Sequence, residues 1–257
     1  MAKILFFGTC CGAEPIPGMQ HSSFAIVSDE NYYWFDAGEN CSRTAVEMEV
    51  DLLKIKSIFI SHTHIDHVGG LANLIWSIKK LNIMGYGMPP EGKVSVYTPN
   101  IESFKAVMEL LRHSEGSLSW NIAVEANMVS NGLVFSDECV KVYAVQNRHI
   151  LDTLDGKPLS YSYIIYVADK KIVYSGDVRN LSELETCIGD GCDILICETG
   201  HHKVEDVLRL AKENNVGTLL FTHNGREIIN HRQNADRLLE ESGCNAMICH
   251  DKMIYEF

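Results

Sequence analysis

The chain has 257 residues, of which 46% are hydrophobic and 22% are charged, as in ordinary globular proteins. Its formal net charge of −12 disfavours a protein that coats nucleic acid, because phosphate binding depends on Lys and Arg. The charge does not exclude an anionic substrate, since bound metal ions reverse the local potential.

Two further features bound the class of protein. No linker-like or low-complexity tract divides the sequence, so we expect a single domain over residues 1–257. The apolar run at residues 4–7 is too short for a signal peptide or a membrane span. We therefore expect a cytoplasmic protein whose nine cysteines are reduced.

Apolar runs between turn residues predict strands, and apolar residues at helical spacing predict helices. In the first half the predicted strands are residues 3–7, 23–28, 32–35, 57–60 and 94–98, and the predicted helices are residues 43–53, 68–81 and 102–112. Residues 113–131 carry no clear pattern.

The second half continues the same mixture of strands and helices. The predicted strands are residues 140–145, 162–168, 171–175, 194–197 and 218–221, and the predicted helices are residues 204–214 and 228–241. Residues 246–249 and 253–257 are predicted to close the chain as a hairpin. This order favours an α/β fold in which two sheets pack face to face with helices outside.

The strongest chemical signal is a His-rich segment between a predicted strand and a predicted helix. Residues 61–70 read Ser-His-Thr-His-Ile-Asp-His-Val-Gly-Gly. The histidines His62 and His64 can share one metal ion, and Asp66 with His67 can face a second. Imidazole and carboxylate ligands suit Zn²⁺, Mn²⁺ or Fe²⁺.

Four ligands are too few for two ions, and three more candidates follow other predicted strands. They are His149, Asp177 in Tyr-Ser-Gly-Asp, and His223 in Phe-Thr-His-Asn-Gly. Functional side chains are often presented on loops at strand ends. Taken singly, each of the three would more often be a capping or surface residue.

The complete pattern resembles the metallo-β-lactamase superfamily over essentially the whole chain. Within it, the Phe-Asp-Ala-Gly-Glu at residues 35–39, Tyr-Ser-Gly-Asp at 174–177 and Leu-Leu-Phe-Thr-His at 219–223 are most similar to the tRNase Z and phosphodiesterase branch. The resemblance implies an αββα sandwich of two mixed sheets and a two-metal hydrolase, with zinc the expected metal.

The resemblance also implies a ligand set and a mechanism. One metal would take His62, His64 and His149, and the other Asp66, His67 and His223, with Asp177 bridging them. A bridging hydroxide would attack the substrate, and Asp66 and Asp177 could accept a proton. A homodimer is implied by the family as well.

The segment after the predicted strand 194–197 resembles the family's His-Ser-Thr motif. There His201 would act at the phosphate and the leaving group, since histidine is a suitable general acid, and Glu198 stands at the position of the family's supporting carboxylate. The alternative is that His201 simply starts the next helix. The candidate catalytic residues are thus Asp66, His201 and Glu198.

This chain departs from tRNase Z in several places. The interval between His149 and Asp177 is 28 residues, too short for the family's tRNA-binding arm. Other departures are Ile65 for Gly, Val178 for Thr, and His202-Lys203 for Ser-Thr. With the acidic charge, the missing arm favours a small anionic substrate over long nucleic acid and predicts a small phosphodiester.

Two other functions remain open at this point. One is a carbon-centred hydrolase with the same metals, such as a thioesterase, lactonase or glyoxalase-like enzyme. The other is a non-catalytic binding module, which the intact ligand set argues against because losing even one ligand usually impairs a metal site. Cys10, Cys11 and His21 lie in the first loop, where His21 could touch substrate.

Overall fold

In the computed structural model, residues 2–12, 16–114 and 121–257 are described. The chain divides into two compact units, each assembled from separated segments. The first contains Met1–Gly8, Gln20–Val129 and Asp251–Phe257, and the second Thr9–Met19 and Ser130–His250. The expectation of a single domain stays a prediction.

The strands and helices alternate along the chain. The strands are β1 Lys3–Gly8, β2 Ser23–Ser28, β3 Asn31–Phe35, β4 Ile55–Phe59, β5 Lys93–Thr98, β6 Ala123–Met128, β7 Gly132–Ser136, β8 Val140–Gln146, β9 Thr153–Leu154, β10 Lys157–Pro158, β11 Tyr161–Val167, β12 Lys170–Tyr174, β13 Cys192–Glu198, β14 Val216–Thr222, β15 Ala246–Ile248 and β16 Ile254–Glu256. The helices are α1 Cys41–Glu47, α2 Ile65–Val68, α3 Leu71–Ile83, α4 Ile101–Ser114, α5 Glu185–Ile188, α6 Val204–Glu213, α7 Arg226–Asn230 and α8 Arg232–Ser242. Short 3-10 helices occur at Leu52–Lys54, Pro90–Gly92 and Leu181–Leu184.

The first unit is built on a seven-stranded mixed sheet in the order β16-β1-β2-β3-β4-β5-β6. Strands β3 to β6 pair in parallel, whereas β16, β1, β2 and β3 pair antiparallel. Apolar side chains of the sheet, such as Trp34 and Ile58, form one buried core with residues of α1, α3 and α4. Burial of these side chains supplies the main stabilisation of the unit.

The second unit contains a seven-stranded mixed sheet in the order β15-β14-β13-β12-β11-β8-β7 and a two-stranded ribbon of β9 and β10. Strands β12, β13, β14 and β15 pair in parallel, so their carboxyl ends meet at one edge of the sheet. Its core joins apolar residues of these strands to α5, α6, α7 and α8. Two mixed sheets with helices confirm the predicted fold class.

Two tight turns join strands that are consecutive in the sequence. The turn between β2 and β3 places Asp29 and Glu30 at positive φ, and β11 pairs antiparallel with β12 across Ala168 and Asp169. The pattern-poor interval 113–131 contains β6, while residues 115–120 of it lie outside the described residues.

Two predictions are wrong. The predicted helix 43–53 is the shorter α1, which ends at Glu47 and is followed by Glu49 at positive φ, a conformation that interrupts a helix. The predicted terminal hairpin does not form. Instead β15 pairs in parallel with β14 and β16 pairs antiparallel with β1, so each strand extends the sheet of its own unit.

No helix in the described part of the chain is long and apolar enough to cross a membrane.

Candidate metal centre

The first unit holds the His-rich segment at the carboxyl end of β4. We call His62, His64, Asp66 and His67 the loop cluster. Its nitrogen atoms His62 Nε2 and His64 Nδ1 lie 3.1 Å apart, and Asp66 Oδ2 lies 3.5 Å from His67 Nε2. Two ligand atoms that share one tetrahedral zinc ion are about 3.4 Å apart, so both spacings fit co-ligands.

A buried carboxylate that the sequence analysis gave no role orients this cluster. Asp36, directly after β3, is fully buried. Its Oδ2 lies 2.8 Å from His67 Nδ1 and accepts a 2.7 Å hydrogen bond from the Ser61 hydroxyl, and its Oδ1 accepts from Ser61 N at 2.6 Å. The Ser61 Oγ in turn lies 3.1 Å from His62 Nδ1.

These outer contacts leave Nε2 of both His62 and His67 as the nitrogen available to a metal. Histidine ligands usually hold their second nitrogen against a carboxylate or another polar group in this way. The signal that could have found Asp36 is its position at the end of β3, beside the parallel strand β4 that leads to His62.

Close backbone packing between residues 37–38 and residues 66–70 fixes the position of the loop cluster. His67 O accepts a hydrogen bond from Ala37 N at 2.7 Å, and Gly70 N donates to Ala37 O at 2.8 Å. A Cβ atom on Gly38 would lie 2.5 Å from Asp66 O, and one on Gly70 would lie 2.2 Å from Gly38 O. Only glycine permits this approach of the two segments.

The second unit gathers residues from the ends of three adjacent strands and from the loop after β8. We call His149, Asp177, Glu198, His201 and His223 the strand-end cluster. Asp177 follows β12, Glu198 ends β13 and His223 follows β14, so the parallel pairing of these strands brings them together. Asp177, Glu198, His201 and His223 each offer a ligand atom, and those atoms lie within 4.8 Å of one another.

The predicted ligands in this cluster also have co-ligand spacing. Asp177 Oδ2 lies 3.5 Å from His223 Nε2 and 3.7 Å from His149 Nε2. His223 Nδ1 lies 3.6 Å from Glu198 Oε2, which again leaves Nε2 toward Asp177. Asp177 and His223 are buried, and His223 has a left-handed φ of 46°, a rare conformation that concentrates at functional sites.

His201 is more exposed than Asp177, since 45% of its side chain is accessible compared with 3% for Asp177. Its Nδ1 lies 2.8 Å from Glu198 Oε2 and 3.7 Å from Asp177 Oδ2. The Glu198 carboxylate raises the pKa of His201 above its usual value. Burial acts to raise the pKa of Glu198, but hydrogen bonds and charge from His201 and His223 outweigh it and hold that pKa well below the usual range.

A cavity of about 360 Å³ in the second unit opens beside His201. Its volume is in the range of small-molecule sites. It has two cationic side chains in its wall, and its lining residues are Cys11, Thr199, Gly200, His201, His202, Lys203, Arg226 and Glu227.

The first-loop residues divide between the two units. His21 lies in the first unit, with Nδ1 3.7 Å from Glu39 Oε2. Cys10 and Cys11 lie in the second unit and are buried, and Cys11 N donates to Asn224 O at 3.2 Å. Through Asn224 these cysteines support the backbone next to His223.

The chain is similar in fold to several solved structures. The metallo-β-lactamase fold protein YhfI from Bacillus subtilis superposes with a TM-score of 0.76 at 17% identity, covering 100% of this chain and 99% of the other. The short form of human tRNase Z gives a TM-score of 0.72 at 18% identity, covering 99% and 98%. A diphosphatase of the PhnP family gives 0.66 at 17% identity, covering 100% and 98%.

Curated relatives match at the level of sequence. Ribonuclease Z of Methanococcus aeolicus is 26% identical, covering 86% of this chain and 84% of the relative. Ribonuclease Z of Picrophilus torridus is 27% identical, covering 86% and 85%.

Fold, site chemistry and relatives together define a metal-using hydrolase of the metallo-β-lactamase superfamily, in its tRNase Z and phosphodiesterase branch. Within that class, residues 2–240 match the family described as Anti-Pycsar protein Apyc1, and the chain belongs to this family.

Proposed function

We propose that this protein hydrolyses a small phosphodiester with two divalent metal ions, zinc first and manganese or iron as alternatives. The observation that carries the proposal is the orientation of the histidines in each cluster. His62, His67 and His223 all have Nδ1 beside a polar group of their own unit and direct Nε2 at a neighbouring ligand atom.

The ligand assignment keeps the set expected from the sequence. The loop cluster would supply His62, His64, Asp66 and His67, and the strand-end cluster would supply His149, Asp177 and His223. When bound, the ions would lower the pKa of a water molecule and stabilise the charge that develops on the phosphoryl group.

The protein's own side chains handle the protons. The water oxygen forms a bond to phosphorus, and the carboxylate of Asp66 or Asp177 accepts its proton. The phosphorus–oxygen bond to the leaving group breaks, and His201 Nε2 donates a proton to the departing oxygen. Glu198 acts as a positioning residue because it is fully buried and bonds His201 Nδ1.

Several features support a small substrate. The cavity beside His201 has a volume typical of small-molecule sites and contains Lys203 and Arg226, which suit an anionic ligand. The net charge of −12 opposes long nucleic acids, whose binding requires many Lys and Arg contacts.

Metal content and turnover test the proposal directly. Protein dialysed after loading with zinc or manganese should retain more than one equivalent of metal per chain. It should hydrolyse bis-p-nitrophenyl phosphate and a dinucleotide faster than a panel of thioesters and lactones, with little dependence on salt. A metal content of zero after reloading would refute the metal centre.

The competing functions give different results. Turnover of thioesters or lactones well above that of every diester would assign the protein to carbon-centred hydrolysis. Efficient cleavage of precursor tRNA with a steep salt dependence would show a large nucleic-acid substrate instead, since each phosphate contact adds to the salt slope.

A further inference from the structure

Two positions at which this chain departs from the tRNase Z pattern lie in contact with each other. Position 178 carries Val in place of Thr, and position 202 carries His in place of Ser. His202 Nε2 donates a 2.9 Å hydrogen bond to the Val178 carbonyl oxygen. Because a carbonyl oxygen can only accept, this contact places a proton on Nε2.

The backbone of Val178 is held at both of its polar atoms. While His202 bonds the carbonyl oxygen, Glu198 Oε1 accepts a 2.9 Å hydrogen bond from Val178 N. Glu198 Oε2 also accepts from His201 N at 3.0 Å, which ties the following segment to the same carboxylate. Val178 and Glu198 are fully buried, so these hydrogen bonds have little competition from water.

The two hydrogen bonds to the Val178 backbone also restrain Asp177, which directly precedes Val178. On the other side of Asp177 stands Gly176, with a positive φ of 55°. Glycine adopts such a φ without the strain that a Cβ atom would cause. The Gly176 carbonyl oxygen accepts a 2.6 Å hydrogen bond from the adjacent Ser175 hydroxyl. The direction of the Asp177 carboxylate therefore depends on this bond and on how firmly the chain is held on the Val178 side.

We propose that His202 is a positioning residue for Asp177. It holds the Val178 carbonyl oxygen, while Glu198 holds Val178 N, and together they fix the backbone that follows Asp177. The inference rests on the proposed function only in taking Asp177 as a metal ligand. His202 also lies in the wall of the cavity beside His201, but in this role it acts through the peptide that orients Asp177.

The test compares His202→Leu with His202→Gln in the metal-loaded full chain. Leu cannot donate, whereas the Gln amide nitrogen can reach the place of Nε2 and donate there. Metal affinity is measured by competition with a chelator, beside the unfolding temperature and the kcat and KM for bis-p-nitrophenyl phosphate. His231→Leu, an exposed histidine of the same unit, is the matched control.

We expect His202→Leu to lose about tenfold in metal affinity, the lower end of the effect of outer partners on metal sites. Its kcat should fall with little change in KM, His202→Gln should recover most of the loss, and His231→Leu should match wild type. Wild-type metal affinity in His202→Leu, with or without a lower unfolding temperature, would overturn the inference.

Should His202→Leu fail to fold, His202→Asn replaces it, because the shorter amide cannot reach the Val178 carbonyl. Equal metal affinities of the Asn and Gln variants would then contradict the inference. A wild-type protein that binds metal but cleaves no diester would overturn the proposed function and leave this inference standing. A wild-type protein that binds no metal would overturn both.

Discussion

The loop cluster and the strand-end cluster contain similar candidate ligands but are built in different ways. The four loop-cluster residues fall within six consecutive positions, between β4 and α3. In the strand-end cluster His149, Asp177 and His223 are 28 and 46 positions apart, and the pairing of β12, β13 and β14 brings Asp177 and His223 together.

The difference shows where each cluster is vulnerable. In a short local segment, one buried group next to it can orient the side chains. Asp36 has this role because it contacts both His67 and Ser61. A cluster collected from strand ends depends on the loops that follow each strand, where Gly176, Gly200 and His223 adopt tightly constrained positions. Substitutions in the two units can separate these modes of support.

The largest effect should come from Asp177→Ala, which removes a carboxylate close to both His149 and His223. We expect the loss of at least one metal equivalent and a fall in kcat/KM beyond the roughly 100-fold seen when only an outer partner is lost. Metal analysis and diester turnover measure both. His113→Ala, at an exposed position of α4, should behave as wild type, and equal activity of the two variants would refute the role of Asp177.

Asp36→Asn tests the loop cluster through its outer partner. The amide keeps the size of the side chain but loses the charge and one acceptor oxygen. The bonds from His67 Nδ1, the Ser61 hydroxyl and Ser61 N therefore cannot all be kept. We expect metal affinity to fall by about 10- to 100-fold. Chelator competition measures the loss, and an affinity equal to wild type would mean that Asp36 supports folding alone.

Gly200→Ala tests a backbone constraint in the strand-end cluster. A Cβ atom at Gly200 would lie 2.6 Å from His223 Nδ1 and 2.7 Å from its Cε1, so the imidazole must move. We expect activity to fall by about tenfold, since a ligand displacement near 1 Å can cost as much as 100-fold.

Gly243→Ala is the matched control for this substitution. Gly243 has open space around it but a φ of +69°, so alanine should cost about 1 kcal/mol of stability and leave kcat unchanged. Unfolding midpoints and turnover of the two variants separate the effects. If both variants lost stability alone, Gly200 would have no special relation to His223.

The smallest expected effect concerns the reactivity of the cysteine thiols, whose burial differs between the two units. Cys41, the one cysteine in the first unit, is fully buried, and burial raises the pKa of its thiol to about 12. In the second unit Cys139 and Cys244 are only half-buried. Because the thiolate is the reactive form, a disulfide reagent at pH 8 should label at most these two in the native protein.

Peptide mapping after such labelling checks the thiol prediction. Denatured protein should react at all nine cysteines, which gives the internal standard. Rapid labelling of Cys41 in the native protein would show that the core of the first unit opens readily, against its complete burial.

The sequence by itself determined the residue types of both clusters and most strands and helices. Residues 62–67 are adjacent, so one loop between a strand and a helix suffices to gather them. The alternation of strands and helices in the second half places Asp177 and His223 after strands, and parallel strands end at one sheet edge.

Only the tertiary structure decided which distant groups meet. Hydrophobic periodicity indicates which face of a strand is buried but not which strand it pairs with. The sequence of β15 and β16 therefore suggests a hairpin, although β15 pairs with β14 and β16 pairs with β1. The bond of Asp36 to His67 spans 31 positions, and that of His202 to Val178 spans 24. Such contacts arise because buried polar groups must be hydrogen-bonded, and the packing of the chain determines which partner is within reach.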